Sequence, residues 1–239
     1  MKKKLLWIPL LSLAIVSCTA DDGKEMSVNP VKASHGLARY GTEGDGAANP
    51  LNPFDAFGKA HNDILDIYFA AGRKDSTLAK VIEGTGMAAE QILEFNFDDS
   101  HLPQKAAIAA ILDNPSVRLN ETLSNSSLSS PAKLSLSSFI NGLISLGASS
   151  FDIQYSYIVS YESEASASGL LLQEDKRVVL TVATIARHSL YYRKRRKDKD
   201  WETSVGNIAA MVEGTLSNSA KGAVMAVATG IAQEGNITE

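Results

Sequence analysis

Apolar side chains recur every three or four residues along most of this chain, between residues that begin and end helices. In the first such segment Asn52 is suited to cap a helix, Pro53 fits the first helical position, and Asp55 faces the positive end of the helix dipole. Helical spacing then continues to Gly72, where the segment should end. Residues 114–130 are polar and turn-prone, which predicts a connecting loop with a short helical turn. The same signals predict further helices near residues 76–83, 87–95, 102–112, 131–146, 173–195 and 203–232.

One segment, residues 151–161, is ambiguous by periodicity alone. Apolar and aromatic side chains alternate from Phe151 to Tyr157, which is typical of a strand. Phe151, Tyr155 and Ile158 also repeat at helical spacing. The sequence contains no second candidate strand to pair with this one, and a lone strand cannot satisfy its backbone hydrogen bonds. We therefore interpret the segment as helical and predict an all-α fold, a single irregular bundle of about six to eight helices.

The start of the chain has the layout of a secretion signal. Lysines at positions 2–4 precede an apolar stretch, residues 5–16, which is shorter than the about 20 residues that span a bilayer. The sequence Ile15-Val16-Ser17-Cys18 follows, and it resembles the lipobox of bacterial lipoproteins. This resemblance implies that residues 1–17 are removed as a signal peptide and that Cys18 receives diacylglycerol and palmitoyl-type fatty chains. The alternative is an ordinary signal peptide with an incidental or buried cysteine.

Residues 18–51 are poor in large apolar side chains and rich in Gly, Asp, Asn and Ala. Such a composition cannot bury enough surface to offset its ordering entropy, so we predict a flexible lipidated tether, followed by one helical domain over residues 52–239. The chain has 23 basic and 27 acidic residues, and three lysines lie in the leader, so the mature protein would carry a net charge of about −7. This acidic excess argues against nucleic acid as a partner. The predicted partners are the membrane, through the lipid on Cys18, and an unidentified protein.

The densest polar cluster lies on the first predicted helix and comprises Gly58 with the candidate catalytic residues His61, Asn62, Asp63 and Asp66. A histidine there could act as a general base, or with Asp66 form part of a metal site. A hydrolase or metal-dependent enzyme that uses His61 with Asp63 or Asp66 is therefore one hypothesis. The competing interpretation is a core imidazole hydrogen-bonded to a second helix, which Gly58 would allow to approach closely. The chain contains no P-loop, zinc-protease or serine-elbow pattern, and we predict no cofactor or metal.

Two motifs resemble a known family. Residues 52–65, Asn-Pro-Phe-Asp-Ala-Phe-Gly-Lys-Ala-His-Asn-Asp-Ile-Leu, are similar to the N-P-[YF]-D-x-x-G-x-x-H-N-x-x-L signature of an uncharacterised family of secreted lipoproteins of the Bacteroidetes type. Residues 186–192, Ala-Arg-His-Ser-Leu-Tyr-Tyr, are similar to that family's later A-R-x-S-x-Y-Y-W segment, with Arg193 in place of the tryptophan. The resemblance implies an outer-membrane lipoprotein without an assigned activity. Asp21 and Asp22 resemble the acidic signal that exports such lipoproteins to the cell surface.

Three further segments each allow two interpretations. Small residues recur every four positions from Gly206 to Gly230, which suits a membrane-inserting or self-assembling hairpin or, as we favour, a tightly packed soluble helix pair. The basic run at 193–197 suits lipid headgroups or nucleic acid, but it also suits the C-terminal end of a helix, which we favour. Residues 98–101, Asp-Asp-Ser-His, could serve in a metal or acid–base site, but a polar turn is the simpler interpretation.

The leading hypothesis from the sequence is a non-enzymatic, lipid-anchored interaction or display domain at the outer membrane. The enzyme and the membrane-active protein are the alternatives. Burial of the His61 ring would argue against the enzyme, and burial of residues 203–232 would argue against the membrane-active protein.

Overall fold

The computed structural model describes residues 46–92, 97–196 and 204–237, and these form an all-α body. A short 3₁₀ helix, Asp99–His101, lies between the second and third α-helices. The predicted all-α fold is confirmed, and residues 151–161 lie in a helix. Nine α-helices follow one another in this part of the chain: α1 (Asp55–Ala70), α2 (Leu78–Ala89), α3 (Lys105–Asp113), α4 (Pro115–Asn125), α5 (Ser130–Ser145), α6 (Phe151–Ala167), α7 (Gln173–Arg196), α8 (Val205–Ser217) and α9 (Ser219–Glu234).

The helix α4 occupies a segment that the sequence analysis assigned to a loop, so that prediction was wrong. Asn114 caps it by accepting a hydrogen bond from the Val117 amide at 3.4 Å, and Pro115 takes the first helical position. Leu119 and Leu123 are one turn apart, and both are buried. These leucines and the ion pair between Arg118 and Glu213 of α8 hold this polar helix against the body, because tertiary contacts override weak local preference.

Two other helix boundaries differ from the prediction. The single helix α2 covers the helix predicted at 76–83 and only the first residues of the one predicted at 87–95, because it runs through Gly84 and ends at Ala89. Tyr68 of α1 and Arg73 of the following turn pack beside Gly84. Residues 93–96 lie outside the described residues. The helix predicted at 203–232 is divided at Asn218, which ends α8 and caps α9 by accepting a hydrogen bond from the Ala220 amide at 2.7 Å.

The helix α9 forms the centre of the body. All but one of its residues from Ser219 to Ala232 are buried, and α1, α2, α3, α7 and α8 pack around it. A helix that is apolar on every side is stable in water only when other helices cover it completely. Its many small residues allow these neighbours to come close: Gly222 lies against Thr215 of α8, and Gly214 lies against the backbone of residues 221–222.

Residues 46–51, which the sequence analysis placed at the end of the tether, lie on the helical body. Ala47 is fully buried, Gly46 lies against the Tyr191 ring, and the Tyr155 hydroxyl donates a hydrogen bond to the Ala48 carbonyl at 3.1 Å. Composition did not indicate this because the segment is held by polar contacts rather than by large apolar side chains. The predicted signal peptide and the remainder of the predicted tether, with Cys18, lie outside the described residues.

Replacement of Gly214 by alanine should destabilise the protein by about 1–2 kcal/mol, because overpacking costs outweigh the gain in helix propensity. The new Cβ would lie 2.7 Å from the Lys221 carbonyl oxygen and 2.8 Å from Gly222 Cα, and backbone atoms cannot rotate away. Urea unfolding with circular dichroism measures the change. Gly169→Ala is the matched control, since a Cβ on that residue would have no neighbouring atom within 4 Å. Equal stability of the two variants would contradict the close packing of α8 on α9.

Candidate functional site

The two sequence motifs meet in a buried polar network between α1, α6 and α7. Arg187 of α7 has no exposed surface, and its Nη2 atom donates to Asp55 of α1 at 2.5 Å and to Glu162 of α6 at 3.1 Å. The Glu162 side chain is 1% exposed. A buried charge is tolerated only when other groups pair with it and satisfy its hydrogen bonds. The position of Arg187 therefore requires both carboxylates, and so links three helices.

Two asparagines complete the surroundings of Glu162. Asn49 donates from Nδ2 to one carboxylate oxygen at 2.7 Å, and Asn52 donates to the other at 2.8 Å. The same Asn52 nitrogen also lies 3.0 Å from the Leu180 carbonyl oxygen in α7. Asn52, predicted as a simple helix cap, thus joins the chain before α1 to both α6 and α7. Its Oδ1 accepts from the Phe54 amide at 2.9 Å, in the turn before the helix. The N-cap of α1 is Phe54, which makes no side-chain cap, so the prediction that Asn52 caps α1 and Pro53 takes its first position was wrong.

Asp55 occupies the first turn of α1, as predicted, but its carboxylate points to α7. The Thr184 hydroxyl donates to its Oδ1 at 3.0 Å, and His188 Nε2 lies 3.3 Å from the same atom. Partial burial raises the pKa of Asp55, but the hydrogen bonds from His188 and Arg187 and the charge of Arg187 outweigh this and lower it to about 2. Asp55 is therefore ionised over the whole physiological pH range.

His61 lies inside the same region, with 1% of its surface exposed. Its Nδ1 is 2.9 Å from Asn62 Oδ1, and Asn62 Nδ2 donates to the His188 carbonyl at 3.0 Å. The second bond fixes the amide orientation, so a neutral His61 ring must carry its proton on Nδ1. Burial lowers the pKa of His61 to about 4, although the bond to Asn62 favours the charged form. The ring is therefore a neutral core imidazole at pH 7, as the competing interpretation predicted. Its hydrogen-bond partner Asn62 lies on the same helix, however, and it is Asn62 that reaches α7.

The structure does not bring Asp63 or Asp66 to His61. Asp63 pairs with Lys59 at 2.5 Å on the exposed side of α1, and Asp66 pairs with Arg195 at 2.6 Å. Helix geometry explains the separation, because residues two or five positions apart lie on different sides of a helix. In residues 46–92, 97–196 and 204–237, no group of three His, Cys, Asp or Glu side chains could hold a metal ion.

Gly58 is the point of closest approach between α1 and α7. A Cβ on this residue would overlap the side chains of Thr184 and His188 and would lie 2.6 Å from the Thr184 carbonyl oxygen. The expectation that Gly58 lets another helix approach is therefore confirmed. Close approach is what allows the short side chains of Asp55 and Asn62 to reach across to α7.

The basic run at the end of α7 is largely paired with neighbouring helices. Lys194 lies 4.6 Å from the Phe151 ring centre and 3.4 Å from Asp152, and Arg193 lies 3.4 Å from Gln154. With the Arg195 contact to α1, these bonds attach the end of α7 to α1 and α6. Residues 197–203 lie outside the described residues.

The turn at residues 98–101 and the C-terminal helices follow the simpler interpretations. Asp98 accepts from the Ser100 amide at 2.8 Å and its own amide donates to His101 Nδ1 at 3.0 Å, which is a capping box on the 3₁₀ helix. The pair α8 and α9 is buried in the body rather than detached from it. In the described part of the chain, no helix has both the length and the apolarity to cross a bilayer.

The sequence analysis did not single out Glu162 or Asn49. The signal for Glu162 is present, since Ile158, Glu162 and Ala165 share the buried face of α6 at helical spacing. A carboxylate on an apolar face predicts a buried basic partner, and the Arg187 of the second motif fills that role. Asn49 precedes the first helix, so helical periodicity could not indicate that its side chain is buried.

Replacement of Arg187 by methionine should destabilise the protein by about 3–5 kcal/mol, because it leaves two carboxylates in the core without their cation. Arg195→Met is the matched control. The side chains of Arg195 and Asp66 are each about 40% exposed. Loss of this ion pair should lower the free energy of unfolding by about 1 kcal/mol or less. Urea unfolding of both variants at pH 7 tests this difference. Similar losses would show that the network contributes no more than a surface ion pair.

Wild-type stability should fall as the pH falls from 6.5 to 4, because the unfolded chain binds a proton at His61 that the folded chain excludes. The loss across this window is about 3 kcal/mol. His61→Gln retains a hydrogen-bond donor for Asn62 but cannot titrate, so its stability should change less over the same range. Asp55 titrates below this window in both proteins, between its usual value of 3.8 and about 2. Parallel pH profiles for the two proteins would mean that His61 is not sealed in the core.

The candidate site is thus a polar network that joins α1, α6 and α7 through the half-buried Asp55 and the buried Glu162 and Arg187, with the His61–Asn62 pair beside it. The resemblance of residues 52–65 and 186–192 to secreted lipoproteins stays a prediction. No protein-family model, curated protein or solved structure matches this chain.

Proposed function

We propose that this protein is a lipid-anchored lipoprotein of the cell envelope, whose helical domain works as a non-enzymatic interaction or display module at the outer membrane. The observation that carries the proposal is the cysteine at the end of the leader. Three lysines, an apolar stretch too short to span a bilayer and a lipobox-like sequence all lead to Cys18, which is the only cysteine of the chain. A thiol that carries lipid needs no disulfide partner, which accounts for its being single.

The buried network supports the non-enzymatic part of the proposal. The polar residues of the first motif are engaged in joining helices: Asn52 and Asp55 bind α6 and α7, and Asn62 binds the α7 backbone. The neutral His61 ring is covered by neighbouring helices, so a substrate would have to separate α1 from α7 to reach it. These residues serve the fold, which leaves the exterior of the body as the surface through which it acts.

The resemblance of two motifs supports the proposed location. The family whose signature residues 52–65 resemble consists of secreted lipoproteins of the Bacteroidetes type, and Asp21 and Asp22 resemble its surface-export signal. A single fatty chain holds a protein on a bilayer only marginally, whereas two or more chains hold it durably. Several chains on Cys18 would therefore keep the body at the membrane without a spanning helix.

Expression of the full chain in a bacterium with an outer membrane tests the anchor. Wild-type protein should fractionate with membranes, and mass spectrometry should find an acyl-bearing Cys18 at the N-terminus of the mature chain. Cys18→Ser should lose the acyl mass and leave the membrane fraction, because nothing else in the leader takes the lipid. Thr19→Ser changes the neighbouring residue, keeps the thiol and should behave as wild type. A wild-type product with an unmodified thiol, released into the medium, would overturn the proposal.

A further inference from the structure

The loop between α6 and α7 exposes two leucines beside each other on the surface. Leu170 is 76% exposed and Leu172 is 65% exposed, while Leu171 between them is buried. We name residues 168–172 the leucine turn. Exposed leucines are common singly, but two that flank a buried third are held outward together by one anchored side chain.

Hydrogen bonds hold the leucine turn in shape. The Leu170 amide donates to the Ser168 hydroxyl oxygen at 3.2 Å, and the Leu172 amide donates to Asp175 at 3.0 Å. Asp175 is buried, and its carboxylate also accepts from the Ser129 amide at 3.0 Å and from the Ser129 hydroxyl at 2.6 Å. The turn is therefore attached to the start of α5, and its exposed side chains are presented by an ordered backbone.

A shallow cleft extends the apolar surface from the leucine turn to α5. Its volume is about 230 Å³, and Pro131 and Tyr161 lie on its walls with Leu170 and Leu171. Leu134 is 71% exposed and lies one helical turn after Pro131, so it adjoins the cleft on the outer side of α5. The cleft thus brings Pro131 of α5 beside the leucine turn, and we name the three exposed leucines, Leu134, Leu170 and Leu172, the apolar strip.

We propose that this strip, the leucine turn with Leu134, is the face by which the anchored domain rests on the lipid bilayer. The inference rests on the proposed lipid anchor. The exposed apolar area of three leucines is a few hundred Å², below the about 800 Å² per partner that a stable protein interface needs. A bilayer needs no such area, because each leucine enters the interfacial region independently and the anchor supplies proximity.

The charged groups around the strip are consistent with contact to lipid that is made mainly by apolar side chains. Lys133 precedes Leu134 in the chain and Lys176 follows Leu172 by four residues, and their ammonium groups are bonded to the carbonyls of Ser124 and Ser166 at 2.7 Å each. Glu164 also lines the cleft, so the face is not a cationic patch. Contact should therefore depend on leucine insertion, and it should persist at high salt and in vesicles of neutral lipid.

The length of chain between the anchor and the body permits this orientation. Gly46 lies against Tyr191, near the end of α6 that is farther from the leucine turn. α6 has 17 residues and is therefore about 25 Å long. Residues 19–45 can extend to roughly 90 Å at most, so Cys18 and the leucine turn can reach the same bilayer.

The test uses the full lipidated protein in vesicles of phosphatidylethanolamine and phosphatidylglycerol, and again in phosphatidylcholine. Leu170→Cys and Leu172→Cys are each labelled with an environment-sensitive dye, since the sulfur of a lipidated Cys18 is not free to react. Met87→Cys is the matched control. Met87 is also exposed, at 50%, but it lies on α2, which packs against α1 and α9 and carries no part of the strip. Circular dichroism checks that each labelled variant is folded.

The dyes at 170 and 172 should shift to shorter wavelength on vesicles and should be quenched several-fold more than the dye at 87 by a quencher carried on the lipid. Protein that sediments with vesicles while all three dyes stay in water would overturn the docking face and leave the anchor intact. Protein that carries no acyl chain and stays in the supernatant would overturn the anchor itself. If the dyes shift without vesicles and the shift grows with protein concentration, the strip binds a second copy of the chain. That result would overturn the proposal that the strip docks on a bilayer.

Discussion

A guanidinium with no exposed surface, that of Arg187, sets the arrangement of α1, α6 and α7. Removing such a cation from water costs several kcal/mol unless charged and polar groups replace its hydration. Asp55 and Glu162 supply the opposite charge. Arg187 and Asn52 both donate to Glu162 Oε1, and Asn49 donates to Oε2, which the guanidinium leaves free. Each group needs the next one, so the three helices have one mutual register rather than several. Apolar packing alone would discriminate less sharply between registers.

The same network gives a physical meaning to the first motif. Asparagine and aspartate at its start reach to α6 and α7, glycine removes the Cβ that would hold α1 away, and Asn62 closes the contact on the α7 backbone. A pattern of His, Asn and Asp on one helix resembles a catalytic cluster when read as a sequence. In the structure the polar residues are distributed between a buried face and an exposed face, and only the buried ones belong together.

Two groups of apolar residues, those of α9 and those of the leucine turn, have opposite surroundings in this protein. The first group is covered on all sides by five helices and stabilises the body. The second group is small and exposed. Hydrogen bonds, one of them to the buried Asp175, hold the backbone of the leucine turn in place. In our proposals the acyl chains on Cys18 hold the domain near the bilayer and the leucine turn decides which side faces it.

The sequence by itself determined the all-α class, the helix α1 from its apolar spacing and its first-turn Asp55, and the close approach at Gly58. It also contained the lipobox-like leader, because these features depend on residues near one another in the chain. Only the tertiary structure decided that His61 is sealed, that Asp66 pairs with Arg195, and that Glu162 meets Arg187. The partners of a buried charge come from other helices, more than 100 residues away for Asn49 and Glu162, and no local pattern specifies them. Periodicity shows which face of a helix is buried, but the packing of helices decides what that face touches.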